Sequence, residues 1–332
     1  MGGDQAPEAI VTGAVDAARL GNGNYGVVLV GDQNAINEEL SKHRFIKKLP
    51  ISIVHASQQI EMDESPAAAL RKKPDSSIMV AFGLHAKGEV DAVVSAGNTG
   101  AVMGGALFTL KRCEGVLRPA LGSFLPHESG VCFMLDLGSN VDCKPEHLAQ
   151  FGLMGSIFYS KIMNKKKPRV GLLNIGEEPG KGNEATQKAY DLLSKCPVNF
   201  IGNIEGRDIL EGNADVVVCD GFVGNVLVKF SEGLKSMLPL SLKQKVGSNI
   251  AGLVGHYLIR PKFYNMLQLF DYQEYGGAPL LGVKGNCIVA HGRSTPRAIR
   301  TAVHEAWKMI NEKVSQHIEE KIGTFKGDSC SE

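Results

Sequence analysis

Four short apolar runs each end in a turn rich in glycine and asparagine, and this repeat narrows the folds open to the chain. Val90-Asp-Ala-Val-Val94 leads into Ser95-Ala-Gly-Asn-Thr-Gly-Ala101, and Val131-Cys-Phe-Met-Leu135 into Asp136-Leu-Gly-Ser-Asn140. Val170-Gly-Leu-Leu173 leads into Asn174-Ile-Gly-Glu-Glu-Pro-Gly-Lys-Gly-Asn-Glu184, and Ala214-Asp-Val-Val-Val-Cys219 into Asp220-Gly-Phe-Val-Gly-Asn225. Fully apolar strands alternating with helical stretches belong to a parallel sheet covered by helices on both faces. In an open parallel sheet such turns converge on one edge, where ligands bind.

The Asn174 turn carries the most chemistry. Gly176, Gly180 and Gly182 let backbone N–H groups approach an oxyanion closely, and Lys181 adds a mobile positive charge. Helical composition resumes at Glu184, so a helix dipole points at the same place. The spacing is not that of a Walker A loop: Gly176 and Gly180 stand one position too close, and Gly182 replaces the hydroxyl residue that would hold magnesium. The same residues also suit a plain strand-to-helix turn, and both readings stand.

Composition bounds the rest. With 332 residues, 43% of them hydrophobic, the chain can bury a large core. A net charge of +1 gives no reason to expect nucleic acid. Cys113, Cys132, Cys143, Cys196, Cys219, Cys287 and Cys330 show no paired spacing, which suits apolar fillers in a reducing cytosol better than disulfides or zinc. No metal or cofactor is expected. No run reaches the length of a membrane span, and no basic stretch followed by an apolar one opens the chain.

Some patterns are set aside. Gly21-Asn-Gly-Asn-Tyr-Gly26 has the dinucleotide spacing but precedes the strand Val27-Val-Leu-Val30 instead of following one. Lys165-Lys-Lys-Pro-Arg169 reads as a solvated turn before a strand. No Gly-x-Ser-x-Gly elbow or His-Glu-x-x-His helix is present. His291, in Ala290-His-Gly-Arg-Ser294, suits either a structural turn or a substrate contact.

The segment 231–271 breaks the rhythm. It reads as two helices, Glu232 to Val246 and Arg260 to Phe270, around the apolar connection from Asn249 to Ile259. The lysines and arginine flanking that connection allow a dimer contact, a membrane contact, or both. Residues 1–322 form one catalytic domain on this reading. An amphipathic helix spans Pro296 to Lys321, and 323–332 form a polar tail.

Five motifs in register carry a resemblance: Met1-Gly-Gly-Asp-Gln-Ala-Pro7, the Ser95 turn, Asn174 to Gly182, the Asp220 turn, and Glu274-Tyr-Gly-Gly-Ala-Pro-Leu-Leu-Gly282. Together they resemble the bacterial acyl-ACP:phosphate acyltransferases of phospholipid synthesis over residues 1 to about 310. In that family a first strand and an Asp-Ala pair precede Met-Gly-Gly-Asp; this sequence opens at Met1. The resemblance implies a three-layer α/β/α fold with a mostly parallel sheet, similar to isocitrate and isopropylmalate dehydrogenases, with a projecting helical hairpin. It implies a cytoplasmic homodimer that visits the membrane surface, with acyl-ACP and inorganic phosphate as substrates. The downstream glycerol-3-phosphate acyltransferase is a further implied partner.

Phosphate is already an oxyanion near neutral pH and a thiolate leaves readily, so such a reaction requires no serine, histidine or metal. It requires a cradle for a dianion and fixed donors to a tetrahedral intermediate. On this reading Lys181 is the main charge stabiliser and Asn225 the side-chain donor. Ser95, Gly97, Asn98, Thr99 and Gly100, with Gly176, Gly182, Asn183 and Gly224, complete the cradle. Glu177 and Glu178 orient Lys181 or cap the next helix and are not assigned as bases. The alternatives are a phosphate acetyltransferase-like enzyme using acyl-CoA, a metal-dependent decarboxylating dehydrogenase, and a non-enzymatic scaffold that recruits partners to the membrane.

Overall fold

The computed structural model describes residues 2–246 and 275–329. The chain begins with α1 (Glu8–Gly21), β1 (Val27–Gly31), α2 (Gln33–Ser41), β2 (Ile51–His55), α3 (Pro66–Lys72) and α4 (Ser77–Ala86). β3 (Ala92–Ser95), α5 (Thr99–Thr109), the hairpin β4 (Ala120–His127) and β5 (Gly130–Leu135), and α6 (Pro145–Ile162) follow. Then come β6 (Arg169–Leu173), α7 (Glu184–Lys195), β7 (Asn199–Ile204), α8 (Gly206–Glu211), β8 (Val216–Val218) and α9 (Gly221–Val246). After the undescribed stretch, β9 (Ala278–Leu281) and β10 (Asn286–Val289) precede α10 (Pro296–Asn311) and α11 (Val314–Ser329).

Among the described residues one sheet has the strand order β3-β10-β9-β4-β5-β8-β6-β7, and β1 and β2 form a parallel pair of their own. β5, β8, β6 and β7 are mutually parallel, as is β3 with β10, while β10-β9, β9-β4 and β4-β5 are antiparallel. The fold class expected from the sequence holds. The convergence of all four turns does not. Three antiparallel pairings lie between β3 and β5, so β3 runs against β5, β6 and β8, and within one copy the Ser95 turn leaves by the opposite edge.

α6 is the central helix of the core. Leu148, Phe151, Met154 and Phe158 are all buried, and Gly152 and Gly155 let the helix come close to Leu193 and Val216. Phe133 meets Phe158 at 4.4 Å and Phe124 at 5.2 Å between ring centres. α7 closes this layer through Ala189 and Leu193. The Gly21–Gly26 pattern is the turn from α1 to β1, with Asn22 and Gly23 in left-handed conformations. Burial pushes the thiols of Cys113 and Cys196 up to about 11 and those of Cys132 and Cys287 up to about 12, as expected of inert fillers.

Two expectations about the ends of elements are corrected. The amphipathic stretch from Pro296 divides into α10 and α11 at Glu312-Lys313, where Lys313 takes a positive φ. The tail expected from Gly323 is helical through Ser329. Of the expected hairpin, only the first helix is described, and it starts eleven residues early as part of α9. The apolar connection and the second helix lie outside the described residues.

Lys165 and Arg169 have a structural use. The buried Asp215 carboxylate accepts from Lys165 Nζ at 2.9 Å, from the Arg169 N–H at 2.8 Å and from its guanidinium at 3.1 Å, tying the starts of β6 and β8 together. Burial alone would raise this carboxyl, but the Arg169 and Lys165 donors outweigh it and hold it below its ordinary value. A depressed carboxyl contributes stability above its unfolded value near 4 and loses it as pH falls through the folded one. Asp215→Asn is therefore expected to cost about 2 kcal/mol at pH 7 and much less near pH 3. Urea unfolding at both pH values checks this, and an equal loss at both would remove the ion pair as the cause.

Candidate active site

The carboxyl ends of the neighbouring strands β5, β8 and β6 open onto one edge. From β5 comes the Asp136 turn. Asp136 is fully buried, and its carboxylate accepts from Leu121 N–H at 2.9 Å, Leu137 N–H at 2.7 Å, Asn140 N–H at 2.6 Å and Asn140 Nδ2 at 3.0 Å. Burial pushes the carboxyl above its ordinary range against the pull of these donors. Asp136 is not among the sequence-derived site residues, although an Asp followed by small and amide residues is the signal of a side chain folded back on its own backbone.

From β8 comes α9. Asp220 caps it by accepting from Val223 N–H at 2.8 Å, and Gly221 N–H donates to the Asn140 carbonyl at 2.8 Å. The sequence Asp220 to Asn225 was expected to be a turn; it is the cap and opening turns of a helix. Its glycines are there for proximity. A Cβ on Gly224 would lie 2.0 Å from the Asp136 carbonyl oxygen, and one on Gly221 would lie 2.7 Å from the Asn140 carbonyl oxygen. Gly224 thus faces backbone, not a space for phosphate. Asn225 is exposed, and a Cβ on Gly138 would stand 3.7 Å from it, which places Asn225 against the Asp136 turn.

From β6 comes the Lys181 loop, which is held from within. Asn174 Nδ2 donates to the Lys181 carbonyl at 3.0 Å, Gln187 Nε2 to the Gly180 carbonyl at 2.8 Å, and Asn203 Nδ2 to the Glu178 carbonyl at 2.8 Å. Gly182 has φ +91, and a Cβ there would strike Thr186 Oγ1 at 2.2 Å, so this position requires glycine for the turn itself. Asn183 spends its side-chain oxygen on Thr186 N–H at 2.9 Å as the cap of α7. Glu177 pairs with Arg207 at 3.2 Å and neither orients Lys181 nor caps α7. Among the described residues, the N–H groups of Gly176, Glu177, Gly180 and Gly182 have no protein acceptor.

One distinction emerges at this edge. Asp136, Asn140, Asn174, Asn183 and Asp220 are all committed to holding backbone. Among the described residues the Lys181 ammonium and the Asn225 amide have no protein partner, and both are exposed. Neighbouring strands thus present a cation, a neutral donor and free backbone N–H groups on one edge, the set an oxyanion needs.

The remaining sequence-derived site residues belong to the other edge. Asn98 is buried there; its Nδ2 donates to the carbonyls of Met62 and Glu64 at 3.1 and 3.0 Å, and its Oδ1 accepts from Ala101 N–H at 3.0 Å as the cap of α5. Gly100 packs on Pro66, where a Cβ would come within 2.5 Å, and Ser95 Oγ accepts from Gly97 N–H at 3.2 Å. Thr99 is exposed. Gly2 and Gly3 lie against Gly97 and Ala96, and Asp4 N–H donates to the Gly292 carbonyl at 2.7 Å, so the opening motif, the Ser95 turn and the His291 turn form a second cluster. His291 Nδ1 accepts from Arg293 N–H at 3.1 Å, as a turn histidine does.

Comparison with known proteins places the chain. Residues 1–317 match the model of the family described as fatty acid synthesis protein. The phosphate acyltransferase of Syntrophotalea carbinolica is 46% identical over 323 residues, which cover 97% of this chain and 92% of that protein. That of Dictyoglomus turgidum is 46% identical over 332 residues, covering 99% and 98%. Among solved structures, a phosphotransacetylase from Streptococcus pyogenes shares the fold with a TM-score of 0.58 at 18% identity, over 91% of each chain. The chain belongs to the phosphate acyltransferases of the fatty acid synthesis protein family.

Proposed function

We propose that the chain transfers a long-chain acyl group from acyl carrier protein to inorganic phosphate, and that the Lys181 edge carries the chemistry. The observation behind this reading is that, among the described residues, Lys181 and Asn225 stand without protein partners beside Asp136, Asn140, Asn174, Asn183 and Asp220, which are committed to holding backbone. A phosphate oxygen attacks the thioester carbonyl carbon, the C–S bond breaks, and the proton carried by hydrogen phosphate ends on the departing thiol. Negative charge gathers on the carbonyl oxygen in between. Lys181 and the loop N–H groups meet that charge, and Asn225 donates to the phosphate or to the thioester oxygen.

The working unit on this reading is a homodimer. Two observations support it. α9 exposes Phe222, Val226 and Phe230 on successive turns, at 61%, 51% and 63% of their surface. The two motif clusters also lie on opposite edges of one copy, and a second copy can bring one cluster to face the other. We place the enzyme in the cytoplasm, touching the membrane surface through the apolar connection of residues 249–259, where a glycerol-3-phosphate acyltransferase can take up the reactive mixed anhydride. Among the described residues no helix is long and apolar enough to cross a membrane.

The deciding experiment offers labelled phosphate with either palmitoyl-ACP or acetyl-CoA. Label is expected in acyl phosphate from the carrier-bound donor, with at least tenfold lower efficiency from acetyl-CoA, about 1.4 kcal/mol of discrimination. Preference for acetyl-CoA would move the chain to the phosphotransacetylase reading, and no incorporation from either would leave the scaffold reading.

A further inference from the structure

β7 breaks the regular alternation of a strand, and the break bears on the Lys181 loop. Val170 of β6 pairs with Phe200 of β7, but the next residue, Gly171, pairs with Gly202, so Ile201 is an extra residue in β7. Gly202 takes φ +97, a conformation that favours glycine at such a bulge. One inserted residue reverses the face that each later side chain meets. Phe200 packs on the α6-α7 face, its ring 5.1 Å from that of Tyr190, whereas Ile204 packs on the opposite face with Met134 and Val217. In an unbroken strand these two, four residues apart, would share a face.

The reversal brings Asn203 to the α7 side, in register with Leu172, which belongs to the same face. There Asn203 is 5% exposed, and its Nδ2 donates to the Glu178 carbonyl at 2.8 Å. Without the extra residue it would lie on the far side of the sheet from the loop. Asn174 and Gln187 hold the loop from its own two ends. Among the described residues, the hydrogen bonds that reach residues 175–182 from elsewhere are those of Asn203 and Arg207. The Arg207–Glu177 pair is 64% and 63% exposed, and a pair so open to solvent fixes little. Asn203 is thus the buried brace. Its Oδ1 is also buried and has no protein donor among the described residues, which costs a fold stability. An apolar side chain of the same size would serve the fold as well, so the use of this amide lies in what it holds.

We propose, on the reading that Lys181 meets the charge of the reaction, that Asn203 is a positioning residue for acyl transfer: from the bulged strand it pins the Glu178 carbonyl and so sets where Lys181 stands. The link between the two is one atom. The Glu178 carbonyl oxygen that accepts from Asn203 also accepts from the Lys181 N–H, at 3.0 Å, so moving that carbonyl moves the lysine's own backbone. A shift of about 1 Å in a group that must meet developing charge costs up to about a hundredfold in rate.

The test measures transfer of palmitoyl from its carrier to labelled phosphate, with thermal unfolding, in Lys181→Ala, Asn203→Leu and the double variant. Asn203→Leu is expected to lower kcat at least about tenfold with the phosphate KM within about twofold, while melting no more than about 1 °C below the parent. Leucine matches the amide in size, and water can take over the carbonyl of the exposed Glu178. In the Lys181→Ala background the same change should cost less than about twofold, because the residue it positions is gone. Asn203→Ala, which removes the donor and asks nothing new to fit, should show the same dependence on Lys181. Equal losses in the two backgrounds would overturn the proposal, as would turnover within about twofold of the parent in both Asn203 variants. A melting midpoint lowered by more than about 5 °C in both would overturn it too, making Asn203 a residue of the fold. Parental turnover in Lys181→Ala would remove the reading of the site and the proposal with it, whereas a slow Lys181→Ala beside a fast Asn203→Leu would remove the proposal alone.

Discussion

Lys181→Ala is expected to lower phosphate-dependent acyl transfer by about two to three orders of magnitude, while the melting midpoint stays within about 1 °C. Both parts follow from the same geometry. Lys181 is exposed, lays its aliphatic stem against Gly176, and has no ion pair among the described residues, so removing it costs the fold little. Whatever its charge does is done for something outside the protein. A contact made to charge that develops in the transition state is worth about 3–4 kcal/mol in a preorganised site, which sets the size of the loss. Asn225→Ala, removing a neutral donor, should lose less, about tenfold to a hundredfold. Steady-state rates over a range of phosphate concentrations, paired with thermal unfolding, separate the outcomes. Unchanged turnover in Lys181→Ala would move the site away from this loop, and a comparable fall in the melting midpoint would make the lysine structural.

The strands and the class of fold were legible because an apolar run bounded by glycine and asparagine means nearly the same thing wherever it occurs. The direction of β3 was not. Whether two strands run together or oppose each other depends on what is inserted between them, and here β4, β9 and β10 reverse the sense three times. β9 and β10 arrive from nearly 200 residues further along the chain, beyond the reach of local pattern.

The candidate site shows the same limit at smaller scale. Lys181 and Asn225 were picked for their chemistry, and the geometry leaves them available. Asn98 and Asn183 were picked for the same chemistry, yet both are helix caps whose oxygens are already in use. An asparagine ahead of a helix reads identically in sequence whether its amide faces a ligand or its own backbone. Only the helix that begins at Gly221 tells Asn225 apart, because a residue inside a helix has no cap to make.

Gly224 was grouped with the phosphate cradle for being a glycine in a loop, and its place in α9 predicts a different outcome. A glycine inside a helix usually costs stability, so replacing it with alanine should gain up to about 1 kcal/mol. Gly233, on the same helix with open space around it, is expected to show that gain as Gly233→Ala. Gly224→Ala should reverse the sign and cost about 3 kcal/mol or more, because the new methyl would lie 2.0 Å from the Asp136 carbonyl oxygen and 3.0 Å from Cys219 Sγ. The obstacle is backbone, which cannot rotate aside as a side chain does. Relief requires α9 to lift from the Asp136 turn, which loosens the buried carboxylate network and carries Asn225 out of position. Urea unfolding of the two variants, with turnover measured on each, tests this. If Gly224→Ala is as stable as Gly233→Ala and only its phosphate KM rises, then Gly224 contacts the substrate and the packing account is wrong. If stability and turnover fall together in Gly224→Ala alone, the glycine serves the site by letting a helix start against a buried aspartate.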